Sequence, residues 1–290
     1  MQLSRLNQTR GPCSHVDMQT VEIAGRRTGF ASTRRVDYWW IGPAATVVGL
    51  VLFFGYLTLR AFNATYVWYD PYISPTVAPP VFTPASGYPG SVPVDHSWFG
   101  AFPSWWPPFL PQSPAFFLPG LAIAFRLTCY YYRGAYYKSF GQTPTACAVH
   151  GLPRRTYRGE TTLLLFQNLH RYTLYGALLL LVFLWWEGLS AFFRGGQFGI
   201  GVGTVVMLMN AALLTGYTFG CHSWRHLIGG RLDCFTCDGA VSPRFRLWKG
   251  SSWLNERHMA FAWFSLVWVA FTDFYIYLVA TGTITDLNTW

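Results

Sequence analysis

Five long apolar runs dominate this chain, and runs of that length leave a backbone few choices. They extend from Tyr38 to Leu59, Pro114 to Tyr132, Leu163 to Phe193, Phe198 to Tyr217 and Met259 to Thr281. A bilayer core about 30 Å thick takes roughly 20 helical residues, because no water is present there to satisfy an open backbone group. Each run is long enough, or nearly so, to cross it. The expected fold is an all-α integral membrane protein, a bundle of five transmembrane helices over 38–290 behind an N-terminal tail, 1–37. Only 11% of the 290 residues are charged, against about 25% in soluble domains, which excludes an ordinary soluble enzyme. The first run follows a polar, Arg-containing segment with no small-residue cleavage site, so it reads as a retained helix rather than a removed signal peptide.

The formal charge of +9 would suggest nucleic acid as a partner for a soluble protein, but its distribution points to a membrane instead. Arg5, Arg10, Arg26, Arg27, Arg34 and Arg35 precede the first run. Arg126, Arg133, Lys138, Arg154, Arg155 and Arg158 lie at or after the end of the second. Arg225, Arg231, Arg244, Arg246, Lys249 and Arg257 lie between the fourth and fifth. With five crossings all three groups fall on one face, and the other keeps little beyond Arg60 and Arg194. The positive-inside rule then makes the N-terminus cytoplasmic, together with loops 133–160 and 227–257, and the C-terminus external. Removing one helix from the count would put basic loops on both faces. The second run, with Pro119 and Arg126, is expected to be kinked or partly re-entrant.

The segment 61–113 holds most of the chain's 18 prolines, many aromatics, Asp70 and Asp95, and no Lys or Arg. It is expected to be an external lid without its own core, its aromatics resting at the membrane interface. Asn63-Ala64-Thr65 matches a glycosylation sequon, a pattern short enough to arise by chance.

The residues able to hold a metal gather toward the cytoplasmic side: Cys129, Cys147, His150, His170, Cys221, His222, His226, Cys234, Cys237 and His258. At ~1.5 Å of rise per residue, His170, Cys221 and His258 each lie roughly 30 to 36 Å from the outer ends of their helices. Three helices thus bring a donor to one level, with Cys129 somewhat deeper. His222 and His226 are four apart and share a helix face. A single interfacial His is more often a hydrogen-bonding residue at a helix end than a ligand, but four His and three Cys at one level favour a site.

Two cofactors compete for it. A b-type haem would take axial His170 with His258 or His226; a Rieske-type cluster would take two Cys and two His. A haem leaves the thiols without a task, which favours the cluster, although free Cys is also a common buried apolar residue. Cys234-Phe235-Thr236-Cys237 has the spacing of a zinc or redox pair, with His222 or His226 as further zinc ligands, and is expected more often as two reduced thiols facing the cytoplasm. A zinc-binding membrane transporter is the rival from another class, although repeated halves and broken mid-membrane helices are not evident. Glu187 and Asp273 lie within the third and fifth runs, where a carboxylate serves either a proton path or a hydrogen-bonded structural role.

The segments Arg126-Leu-Thr-Cys-Tyr-Tyr-Tyr-Arg133, Gln167-Asn-Leu-His-Arg-Tyr172, Cys221-His-Ser-Trp-Arg-His226, Gly229-Gly-Arg-Leu232 and Leu254-Asn-Glu-Arg-His-Met259 together resemble one family. It is the single-chain membrane anchor of actinobacterial succinate dehydrogenase, a form of respiratory complex II. The likeness runs from about Phe125 to the C-terminus. It implies a multi-pass subunit of the bacterial plasma membrane that docks a flavoprotein and an iron–sulfur subunit on its cytoplasmic face. Electrons from succinate, oxidised on the partner, would pass to a quinone, with menaquinone expected. The resemblance also implies a Rieske-type [2Fe-2S] cluster, with four ligands among Cys129, Cys147, Cys221, His170, His222, His226 and His258. The alternative is a haem b anchor of the same complex. Trp224 stands where the family pattern has a further Cys, and the pair Cys234 and Cys237 is not part of that pattern. The quinone-site residues are not legible from the sequence.

Overall fold

The computed structural model describes residues 29–84, 87–116, 118–152, 163–230, 234, 237 and 242–290. Expectations for the tail through Thr28 and for Arg154, Arg155, Arg158 and Arg231 lie outside the described residues. Eight α-helices carry the described fold: α1 Ile41–Phe62, α2 Leu118–Thr128, α3 Tyr130–Ser139, α4 Leu163–Ser190, α5 Val202–Phe219, α6 His222–Gly229, α7 Pro243–Glu256 and α8 His258–Ala280. Two short hairpins, β1 Trp68–Tyr69 with β2 Tyr72–Ile73 and β3 Phe193–Arg194 with β4 Gln197–Phe198, lie in connections.

Among the described residues four helices are long and apolar enough to cross a membrane: α1, α4 from Leu165, α5 and α8. The stretch expected as the second crossing is built differently. A 3₁₀ turn, Pro114–Phe116, leads into α2, the chain opens at Cys129, and α3 resumes.

The packing sorts the connections to two ends. At one, residues 29–37 pair with the loop after α3: Thr33 bridges Val149, and Arg35 donates to the Cys147 carbonyl at 2.9 Å. At the other, the proline-rich segment, the β3–β4 hairpin and the C-terminal tail meet, with Gly201 bridging Asn288 and Trp290 Nε1 donating to the Gln197 carbonyl. The proline-rich segment is more than a lid. Tyr72, Ile73 and Val77 are each 1% exposed and share one apolar cluster with Ala191, Met207 and Ile276 of the helical body. It has no separate core because it completes the bundle's.

Helix α5 lies innermost, packed against α4 and α8. Small residues permit this: a Cβ at Gly203 would fall 2.6 Å from the Tyr72 ring, and one at Gly216 2.5 Å from Phe261 Cδ1. Membrane helices gain little from the hydrophobic effect against each other, so such close backbone approach supplies their cohesion. In the connection between α5 and α8, expected as a loop over 227–257, α6 continues to Gly229 and α7 forms a further helix. Ser242 caps α7 by accepting from Phe245 N, and Pro243 occupies its first position.

Candidate functional site

Three helix breaks build the site. Cys129, at φ −62° and ψ 128°, is the extended residue between α2 and α3; Cys221, at φ −67° and ψ 141°, is its counterpart between α5 and α6. Each thiol sits at the start of the following helix. Helix α7 secures the second break. Ser251 Oγ donates to the Phe219 carbonyl at 2.8 Å and Asn255 Nδ2 to the Gly220 carbonyl at 2.7 Å, satisfying acceptors that α5 leaves open as it ends. The third break, at Arg257, lets His258 open α8.

Two Cys/His pairs result. His170 Nε2 lies 3.0 Å from Cys221 Sγ, and His258 Nε2 lies 3.7 Å from Cys129 Sγ. Cys129, Cys221 and His170 are all buried. Thr128 fixes the His170 ring through Nδ1 at 2.9 Å, while Phe125 stacks on it with centroids 4.5 Å apart. Tyr217 stacks on His258 at 5.0 Å, and its ring meets Phe125 edge-on at 5.5 Å. The His258 Nδ1 atom is buried and has no hydrogen-bond partner. Among the described residues no three His, Cys, Asp or Glu side chains form a single-ion site; the donors come as these two pairs.

Phe125 and Tyr217 also line an apolar cavity of about 90 Å³ together with Phe53, Leu57, Leu181 and Val269. Arg126 lines the same space. Its guanidinium donates to Tyr132 Oη at 2.7 Å, to the Ala262 carbonyl at 3.1 Å and to Ser265 Oγ at 2.8 Å, and lies 4.6 Å from the Tyr217 ring centroid. A charge in an apolar run was the one sequence signal for this residue. At the far side the lining includes Thr76, whose hydroxyl donates to Asp273 Oδ1 at 3.2 Å.

Residues 41–282 match the model described as actinobacterial succinate dehydrogenase subunit SdhC. The chain belongs to that family. It is therefore a membrane subunit of a bacterial succinate dehydrogenase, a multi-pass protein of the plasma membrane that assembles with partner subunits of that enzyme. A solved structure titled Mycobacterium smegmatis Sdh1 complex in the apo form contains a chain 42% identical, with a TM-score of 0.77, over 92% of this chain and 97% of that one. A comparison with curated proteins finds no match. Membership in this family sets aside the zinc-binding transporter.

The other expected site residues of this SdhC-family subunit lie elsewhere. Cys147 is exposed, and its carbonyl accepts from Arg35. His150 is exposed and pairs through its backbone with Ser32 and Ala31. His222 and His226 face each other on α6 with ring centroids 5.5 Å apart, both exposed. Burial, His226, Arg225 and Arg171 hold the His222 imidazole below its ordinary value. Cys234 and Cys237 are not free thiols or zinc ligands: they form a disulfide with each other. Two thiols three residues apart can close without help from the rest of the fold, which accounts for the correction.

Glu187 is half-buried in α4 and makes no side-chain hydrogen bond among the described residues. Asp273 is fully buried and accepts from Tyr56, from Arg60 Nε at 2.7 Å, from Ser74 and from Thr76. Sequence reading placed Arg60 at the outer end of the first run without seeing it as the partner of Asp273. Phe125, Thr128 and Tyr217 were missed because ordinary aromatic and hydroxyl residues in a chain so rich in both carry no local signal.

Proposed function

We propose that this subunit carries electrons from the succinate dehydrogenase iron–sulfur partner to a quinone through a Rieske-type [2Fe-2S] cluster held by Cys129, His170, Cys221 and His258. One observation supports the choice of four from the seven candidates: two Cys/His pairs from different helices, with Cys129, Cys221 and His170 buried and His258 half-buried, while Cys147, His222 and His226 are exposed. Two thiols and two imidazoles match the donors such a cluster takes. The orphaned His258 Nδ1 also fits, because a buried polar nitrogen without a partner calls for a further group. When bound, the cluster supplies a one-electron carrier inside the membrane.

The surrounding residues orient and insulate. Thr128 fixes one imidazole by its hydrogen bond, and Phe125 and Tyr217 hold both rings by stacking while excluding water. The quinone is assigned to the apolar cavity on the other side of those aromatics, where the lining provides an apolar bed and Arg126 supplies a fixed cation for an oxygen that gains negative charge on reduction. The flavoprotein and iron–sulfur subunits are assigned to the basic cytoplasmic end, where Arg225, Arg244 and Arg257 lie. Menaquinone is the expected quinone.

Single substitutions in the purified complex test the assignment. Cys129→Ser, His170→Ala, Cys221→Ser and His258→Ala should each lose a low-field Rieske resonance and about two irons per complex, together with quinone reduction. Succinate oxidation with a soluble dye, which needs only the partner subunits, should persist. Cys147→Ser, His222→Ala and His226→Ala should keep all three properties. A haem band in place of the resonance would refute the cluster; loss of it in the second set would refute the choice of ligands.

A further inference from the structure

A second concavity lies away from the Cys/His site, between the start of α1, α3 and α8. It has a volume of about 480 Å³ and is lined by Gly42, Ala45, Tyr131, Lys138, Thr145 and Trp263, among others. Its lining differs in kind from that of the quinone cavity. No acidic residue lines it, and Lys138 has no ion-pair partner among the described residues. Tyr131 and Trp263 are joined by a 2.8 Å hydrogen bond from the indole Nε1 to the phenol oxygen, so two rings of the kind that favour the membrane–water boundary form one wall. From the mouth, α1 continues as an exposed apolar face through Ile41, Val48, Val51 and Leu52.

We infer that this groove binds one anionic phospholipid of the leaflet at the end where residues 29–37 pair with the loop after α3. The phosphate lies against Lys138, the glycerol region beside Tyr131 and Trp263, and an acyl chain along α1. Each part follows from the chemistry there. An unpaired ammonium at headgroup depth attracts a fixed negative charge, worth about fivefold in affinity for a single basic residue at an anionic surface. The small Gly42 and Ala45 leave room for a chain to turn from the groove onto the helix, since a Cβ at Gly42 would meet nothing within 4 Å. A neutral quinone would leave the ammonium uncompensated. The proposal rests on the membrane location alone and is independent of the cluster ligands.

Native mass spectrometry of the purified, delipidated complex tests it, with phosphatidylglycerol or phosphatidylcholine added back. The wild type should retain one phosphatidylglycerol and release phosphatidylcholine. Lys138→Ala should weaken phosphatidylglycerol retention about fivefold. Ala45→Leu, at an exposed position that narrows the groove without touching the core, should weaken it too. Lys249→Ala on α7 should have no effect. Unchanged retention in Lys138→Ala, equal retention of the two lipids, displacement by inorganic phosphate, or stoichiometric displacement by a short-chain quinone would each overturn the assignment. The last two outcomes would give the groove to a free anion or to the electron acceptor.

Discussion

Asn in place of Asp273 separates the two roles that the sequence left open for this carboxylate. Asp273 is completely buried and Arg60 only 7% exposed. The carboxylate collects both Arg60 contacts, at 2.7 and 3.4 Å, and three hydroxyls from Tyr56, Ser74 and Thr76. Arg60 in turn donates to the Thr65 carbonyl at 3.0 Å, so the pair ties α1, the proline-rich segment and α8 into one joint. Asp273→Asn keeps the volume but leaves a buried guanidinium without its counter-charge, a change that costs about 3–5 kcal/mol. The apparent melting temperature of the complex should fall by on the order of 10 °C. Arg60→Gln should cost a similar amount. The double substitution should cost clearly less than the sum, because the second removal takes away the charge stranded by the first. Quinone reduction measured well below the melting transition should stay near the wild-type rate. Unchanged melting with lost quinone reduction would refute the structural joint and restore the proton path.

Three further outcomes follow from the geometry. Arg126→Gln should raise the KM for quinone or lower its kcat by about tenfold or more, the scale of a lost charged hydrogen bond, while dye-linked succinate oxidation is unaffected; an unchanged quinone profile would remove Arg126 from the pocket. Gly216→Ala should destabilise the complex by about 1–3 kcal/mol, because its Cβ would meet the Phe261 ring at 2.5 Å, whereas Gly55→Ala, with open space around it, should be silent in the same melting assay. Arg35, by hydrogen bond and charge, holds the Asp37 carboxyl below its ordinary 3.8. Whatever this exposed pair adds to the seating of residues 29–37 is present at neutral pH and lost as pH falls through the lowered value. A nitroxide at Arg34→Cys should gain mobility between about pH 6 and pH 2, and Asp37→Asn should be mobile already at neutral pH.

The long helices were legible because a membrane imposes a length and a composition. The run expected over Phe198 to Tyr217 is α5 at Val202–Phe219, and that over Met259 to Thr281 is α8 at His258–Ala280. The second run was legible as apolar and, from Pro119 and Arg126, as kinked or partly re-entrant; the place of the opening, at Cys129, was not legible. Residues 222–226 of α6 were read as the end of the fourth helix, and α7 as loop, although Ser242 followed by Pro243 is a cap signal in plain view. Helix rise alone put His170, Cys221 and His258 at one depth, because depth is a one-dimensional quantity that sequence spacing encodes. Their pairing was not readable: which thiol faces which imidazole depends on how the helices rotate and on the aromatic rings between them.

The central claim is that two histidine nitrogens of this subunit bind iron. Electron–nuclear double resonance on the reduced complex, purified with ¹⁵N-labelled histidine, addresses it directly. The account predicts two strongly coupled ¹⁵N nuclei, both from imidazoles, with one remaining or the whole signal lost in His170→Ala. Histidine coupling that belongs to a haem iron, or no coupled histidine nitrogen at all, would contradict it.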